Sequence, residues 1–128
     1  MVRLSTKGVE VKVDSSYLPS HSNPIQNNYF FVYEIVISNE SHKTVQLLRR
    51  HWTIFDSLAP TRIVEGEGVV GETPILKPGE VFTYNSGCNL SSEIGSMQGY
   101  YLFQDLEQET FFEVDIPCFQ LIVPSRLN

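Results

Sequence analysis

The chain has 128 residues, of which 41% are hydrophobic and 12% aromatic, a composition suited to one buried core and too short for two domains. Fifteen acidic residues against nine basic ones give a formal net charge of −6, which argues against nucleic acid and against an anionic membrane as partners. Two cysteines, Cys88 and Cys118, are too few for a disulfide framework and read as reduced thiols.

Residues 1–7 lack the apolar stretch of a secretory leader, and no run approaches the about 18 apolar residues of a membrane span, so a cytoplasmic protein is expected. Val9, Val11 and Val13 alternate with Glu10, Lys12 and Asp14, the period-two pattern of a strand with one wet face. Residues 15–28 are polar, carry Pro19 and Pro24, and read as a long loop. Residues 29–38 (YFFVYEIVIS) are apolar on both faces, which places this strand centrally in a sheet. A turn is expected at 39–43, followed by a long strand at 44–56 (TVQLLRRHWTIFD). In that strand Leu48, Trp52 and Ile54 share one parity with Arg50, so a bulge or an edge position is expected near the arginine.

Ala59-Pro60 reads as a turn, 61–64 as a short strand, and Pro78-Gly79 as a further turn. Residues 80–86 form a strand and 87–95 a polar loop carrying Cys88. The segment 96–106 is again a strand, with Met97, Tyr101 and Phe103 on one face and Gly99 between them where something approaches closely. Alternation resumes at 110–116, is interrupted by Pro117-Cys118, and closes with Phe119, Leu121 and Val123. Seven to nine strands at turn-separated spacing, with no amphipathic helix, predict an all-β sandwich of two antiparallel sheets over the single domain 1–128, with a closed barrel as the alternative.

Gly66, Gly68 and Gly71 match G-x-G-x-x-G. In a dinucleotide fold such glycines bring backbone amides to a pyrophosphate at a helix N-terminus. Here Glu72-Thr73-Pro74 follows in place of a helix, and Glu67 and Glu72 repel phosphate, so a glycine-rich bulge or tight loop is the favoured reading and a ligand- or partner-binding loop the alternative. His21, His42 and His51 show no metal-ligand spacing with one another or with a cysteine, so no metal site and no cofactor are expected, although weak oxygen ligation of a divalent cation stays open. Ser86 and Cys88 are potential nucleophiles with no base placed beside them in sequence, so no catalytic residue is assigned. Arg49, Arg50 and His51, next to the only tryptophan, Trp52, read either as a partner-recognition surface or as solvated cations flanking a core ring.

The runs LLRRHWTIFDS (47–57), VEGEGVVGETPILKPGEVFTYNSG (64–87), GSMQGYYLF (95–103) and FEVDIPCFQLIVP (112–124) together resemble the ApaG family, as does YFFVYEIVISNES (29–41). The resemblance implies an immunoglobulin- or fibronectin type III-like sandwich, no established catalysis, and a bacterial association with cobalt and magnesium resistance or efflux. It also implies that the same module serves in eukaryotic F-box and polymerase-interacting proteins, and that pyrophosphate binding has been proposed for the glycine motif. The expected function is therefore a non-enzymatic adaptor that binds a protein partner and is able to pair with itself through an edge strand. The alternative is a small-ligand protein taking a phosphate compound, magnesium or cobalt at Gly66, Glu67, Gly68 and Gly71.

Overall fold

The computed structural model describes residues 1–126. Nine strands follow in chain order: β1 (Val2–Thr6), β2 (Val9–Tyr17), β3 (Tyr29–Asn39), β4 (Val45–Asp56), β5 (Ala59–Glu67), β6 (Ile75–Leu76), β7 (Val81–Leu90), β8 (Ile94–Asp105) and β9 (Thr110–Ile122). They form two antiparallel sheets, in the orders β1-β2-β3-β7 and β5-β4-β8-β9, with β6 added to β4 beyond the end of β5. The polar segment between β2 and β3 holds two short 3₁₀ turns, Pro19–His21 and Pro24–Gln26.

Period-two burial builds the core. Val9, Val11 and Val13 of β2, Phe31, Tyr33, Ile35 and Ile37 of β3, and Tyr101 and Phe103 of β8 all point between the sheets and are buried. At the centre Trp52 meets Tyr33 edge-on, with ring centroids 5.6 Å apart, and Phe119 at 5.9 Å. Asp56, 4% exposed, accepts hydrogen bonds from the Ser91 amide and hydroxyl (2.8 Å each) and from the Ser92 hydroxyl (2.5 Å). It thereby ties the β4–β5 hairpin to the β7–β8 turn.

Two bulges reset the parity of long strands. In β4 the register against β8 shifts between Leu47 and Arg49, so Val45 and Leu47 face inward before it and Arg50, Trp52 and Ile54 after it. Leu47, rather than Leu48, is thus the fully buried leucine. In β8 and β9 the register shifts at Met97/Gly99 opposite Pro117, which has no amide to donate, and the inward series passes from Val114 and Ile116 to Phe119 and Leu121. The partner that approaches Gly99 is the β4 backbone: a Cβ on Gly99 would lie 1.9 Å from the His51 carbonyl.

Several segments differ from the sequence expectation: residues 15–17 continue β2 instead of opening the loop, and Ile75–Leu76 adds a short strand that was not expected. β1 carries no core-facing series and is exposed along most of its length, so hydrophobic alternation gives no signal for it. The turn after β4 is Ser57-Leu58, and Ala59-Pro60 already belongs to β5. Residues 87–90 extend β7 instead of forming a loop, because Cys88 and Leu90 continue its inward series.

Candidate functional site

The two sheets meet closely on one side only. There the Asp115 amide of β9 donates to the Thr6 hydroxyl of β1 at 3.2 Å, and the Ser15 hydroxyl of β2 donates to the Gln120 carbonyl of β9 at 3.3 Å. On the opposite side lie the free edges β5 and β7, each paired with a single neighbour, β4 and β3 respectively. The Arg62 side chain spans the gap, donating through Nη2 to the Asn89 carbonyl (2.6 Å) and to the Cys88 sulfur (3.5 Å).

Between these edges runs a cavity of about 390 Å³ walled by Tyr33, Trp52 and Tyr84, with Arg50 and Arg62 among its lining residues. Arg50 reaches it because the β4 bulge turns position 50 inward. Its chain crosses Gly66, its cross-strand partner, and Nη1 donates to the carbonyls of Glu67 (3.0 Å) and Gly68 (2.9 Å). A Cβ on Gly66 would come within 2.9 Å of Arg50 Nη2. Gly68 has φ +63°, and a Cβ there would lie 2.2 Å from the Glu72 carbonyl oxygen. Val69 and Glu72 exchange two backbone hydrogen bonds of 2.9 Å around Val70 (φ 44°) and Gly71 (φ 80°). Positive φ at both central residues is the requirement of a type I′ turn.

The three glycines therefore form a hairpin that seats an arginine. The amides of Gly68, Val69 and Glu72 are all spent within the protein, on Leu48, Glu72 and Val69, and no helix follows Gly71. Glu67 is exposed on the outer face of the same hairpin. The Arg49-Arg50-His51 cluster is divided by the pleat. Arg49 and His51 occupy the outer face of the sheet, where His51 stacks on Tyr100 (centroids 4.8 Å, 10° apart) and its Nδ1 lies 3.2 Å from Glu65 Oε2. Arg50 alone joins the cavity. Arg62, missed by the sequence reading, was findable only from its alternation with Val64 on a strand opposite Trp52 and Ile54.

The cavity walls are neutral apart from the two guanidinium groups. Burial raises the pKa of Tyr33 and raises that of Tyr84 far beyond the ordinary phenol range, and burial likewise raises the Cys88 thiol despite the nearby Arg62 charge. The Tyr84 hydroxyl is 2.6 Å from that of Tyr101, itself fully buried. No histidine or carboxylate lines the cavity, so neither Ser86 nor Cys88 meets a general base there. Among the described residues no three His, Cys, Asp or Glu side chains converge as a metal site, and no helix is long and apolar enough to cross a membrane.

A family model described as the ApaG domain matches residues 19–105, a span that includes every residue lining the cavity. The chain belongs to the ApaG family. Protein ApaG from Brucella anthropi is 45% identical over 126 residues, 98% of this chain and 96% of that one, and Protein ApaG from Rhodopseudomonas palustris is 44% identical over 125 residues, covering 98% and 95%. The crystal structure of the putative ApaA protein from Bordetella pertussis superposes with a TM-score of 0.87 at 40% identity, covering 97% of this chain and 98% of that one. A part of Bacteroides uniformis beta-glucuronidase 2 shares the fold alone, with a TM-score of 0.51 at 13% identity over 84% of this chain and 12% of that one. The Bordetella protein thus shares this sandwich over nearly its full length, and the cavity between β5 and β7 lies within the portion matched by the family model.

Proposed function

We propose that this ApaG chain is a non-catalytic adaptor of the cytoplasm, and that it recognises a protein partner through the open side of the sandwich. The observation that carries this reading is β5: nine residues long, exposed at every position except Gly66, and hydrogen-bonded on one side only. A strand of that length with an unpaired edge is a template for another strand, and fibronectin type III- and immunoglobulin-like sandwiches offer their edges and end loops in this way. The absence of a base beside Ser86 or Cys88 favours binding over covalent chemistry. Any bearing on cobalt or magnesium resistance then runs through the partner and not through coordination by this chain.

A photo-crosslinking amino acid at Ile63, on the outward face of β5, tests the reading in the native cell. The same partner should be captured from positions 61 and 63 and lost with the probe at Phe111 on β9. Capture that is absent at β5, or equal at both edges, rejects it. Capture of a second copy of this chain would replace the adaptor reading with a homodimer.

A second reading, a small anion held beside the 66–71 hairpin, is favoured by one observation: Arg50 and Arg62 both line the cavity. Titration with pyrophosphate and with Mg²⁺ or Co²⁺, followed by amide chemical shifts of 66–71, tests it. Saturable shifts from millimolar pyrophosphate alone would support it, and flat titrations would remove it.

A further inference from the structure

The chain carries six more acidic than basic residues, yet among the described residues neither guanidinium at the open side forms a salt bridge with a carboxylate. Lys43 pairs with Asp105, and Glu65 lies against the His51 ring, both away from the open side. Arg50 is half-buried and held by two carbonyls; Arg62 is held by a carbonyl and a thiol. Each group is oriented in advance, and each keeps donors beyond the bonds that hold it. Their placement is set by register. Arg50 lies across Gly66, and Arg62 is four residues earlier on β5, roughly 13 Å along an extended strand. Val64 sits between them, opposite Trp52, and continues the apolar wall.

We propose that the open side takes an extended acidic segment of a partner protein as a strand added to β5. The segment carries carboxylates at two inward positions four residues apart, opposite Arg62 and Gly66, and an apolar side chain between them opposite Val64. This rests on the reading of β5 as the recognition edge and names the chemistry that edge selects: acidic–x–apolar–x–acidic. Directly opposed residues on one face of a sheet are the pairs that stabilise it, and a carboxylate against a guanidinium fork is the favourable charged case. A phosphate-rich ligand is disfavoured at the same place, since the amides of Gly68, Val69 and Glu72 are already bonded within the hairpin and Glu65 and Glu67 flank it. Pro60 confines the pairing to the residues after it, because it has no amide to offer a new strand.

A phage-displayed random dodecapeptide library, selected on the full chain at low and physiological salt, tests the proposal. Enrichment of sequences with two acids separated by three residues, with an apolar residue midway, is the expected result. Arg62→Glu is exposed and spares the core; it should weaken a selected peptide about tenfold, and exchanging the matching acid of the peptide for lysine should restore binding. Arg50→Gln should give a comparable loss, but its seat in the hairpin makes the Arg62→Glu swap the deciding variant. Enriched peptides that slow amide exchange in β5 but are neutral or basic would overturn the acidic chemistry and leave the recognition edge standing. Absence of enrichment, or peptides that footprint away from β5, would overturn both.

Discussion

The guanidinium of Arg50 rests on Gly66, so that a methyl group at 66 would come within 2.9 Å of Nη2, and it hydrogen-bonds the next two carbonyls of the same hairpin. The three glycines consequently differ in what a side chain would cost. Gly66→Ala displaces only the end of a flexible arginine and should change stability by less than about 1 kcal/mol while weakening recognition at the open side. Gly68→Ala meets a backbone carbonyl at positive φ and should cost about 2–3 kcal/mol. Gly71→Ala, with open space around it but φ +80°, should cost about 1 kcal/mol. Urea denaturation of the three variants checks this order; equal costs at 66 and 68 would contradict it.

Val70 occupies a left-handed conformation that disfavours a β-branched residue, and its side chain is 55% exposed at the mouth of the cavity. Val70→Asn places Asn-Gly in a type I′ turn and should raise stability by about 0.5–1 kcal/mol. A rise in Tm with unchanged strand signal in circular dichroism is the expected outcome.

How much of this was legible in the sequence depends on where each residue's periodicity comes from. β2, β3 and β8 are readable because their inward residues contact the core and alternate without interruption. β1 and β5 are edge strands, and an exposed strand leaves little hydrophobic pattern to read. The parity of Arg50 signals either a bulge or an edge position; β4 has the bulge, between Leu47 and Arg49, and only its position decides which side an arginine takes. Arg49, Arg50 and His51 are contiguous in sequence and yet fall on two faces of one sheet. The G-x-G-x-x-G pattern gives glycine spacing but says nothing of whether the amides are free; here those of Gly68, Val69 and Glu72 are bonded internally, and Gly66 accommodates an arginine.

Asp56 is buried, which by itself would raise its pKa, but hydrogen bonds from Ser92, Ser91 and Leu58 outweigh this and hold the carboxyl below its ordinary value. A depressed folded pKa contributes stability that is present above the unfolded value of about 3.9 and is lost as pH falls through the folded one. Asp56→Asn should cost about 2–3 kcal/mol at pH 7. The gap between wild type and variant should narrow below about pH 4. Denaturation midpoints across pH 2.5–7 measure it. Asp105, held low despite burial by Lys43 and two loop amides, acts in the same window, so the difference between the two proteins is the quantity to read.

The Tyr84 and Tyr101 hydroxyls are 2.6 Å apart and each is removed from water. Replacing either tyrosine by Phe leaves the other hydroxyl in an apolar site and should cost about 1–2 kcal/mol. Replacing both removes the need for the bond, so the double variant should cost less than the sum of the singles. An additive cycle would contradict the pairing.

Hydrogen exchange along β5, measured by NMR on the chain alone and with its crosslinked partner segment, bears most directly on recognition by edge pairing. A strand added to β5 engages every second amide of that strand, so alternate amides between Thr61 and Glu67 should slow sharply on binding while those of β1 stay unchanged. Uniform protection across the whole sandwich, or protection at β1 and β9 with β5 still exchanging freely, would show that the open side is not where this protein meets its partner.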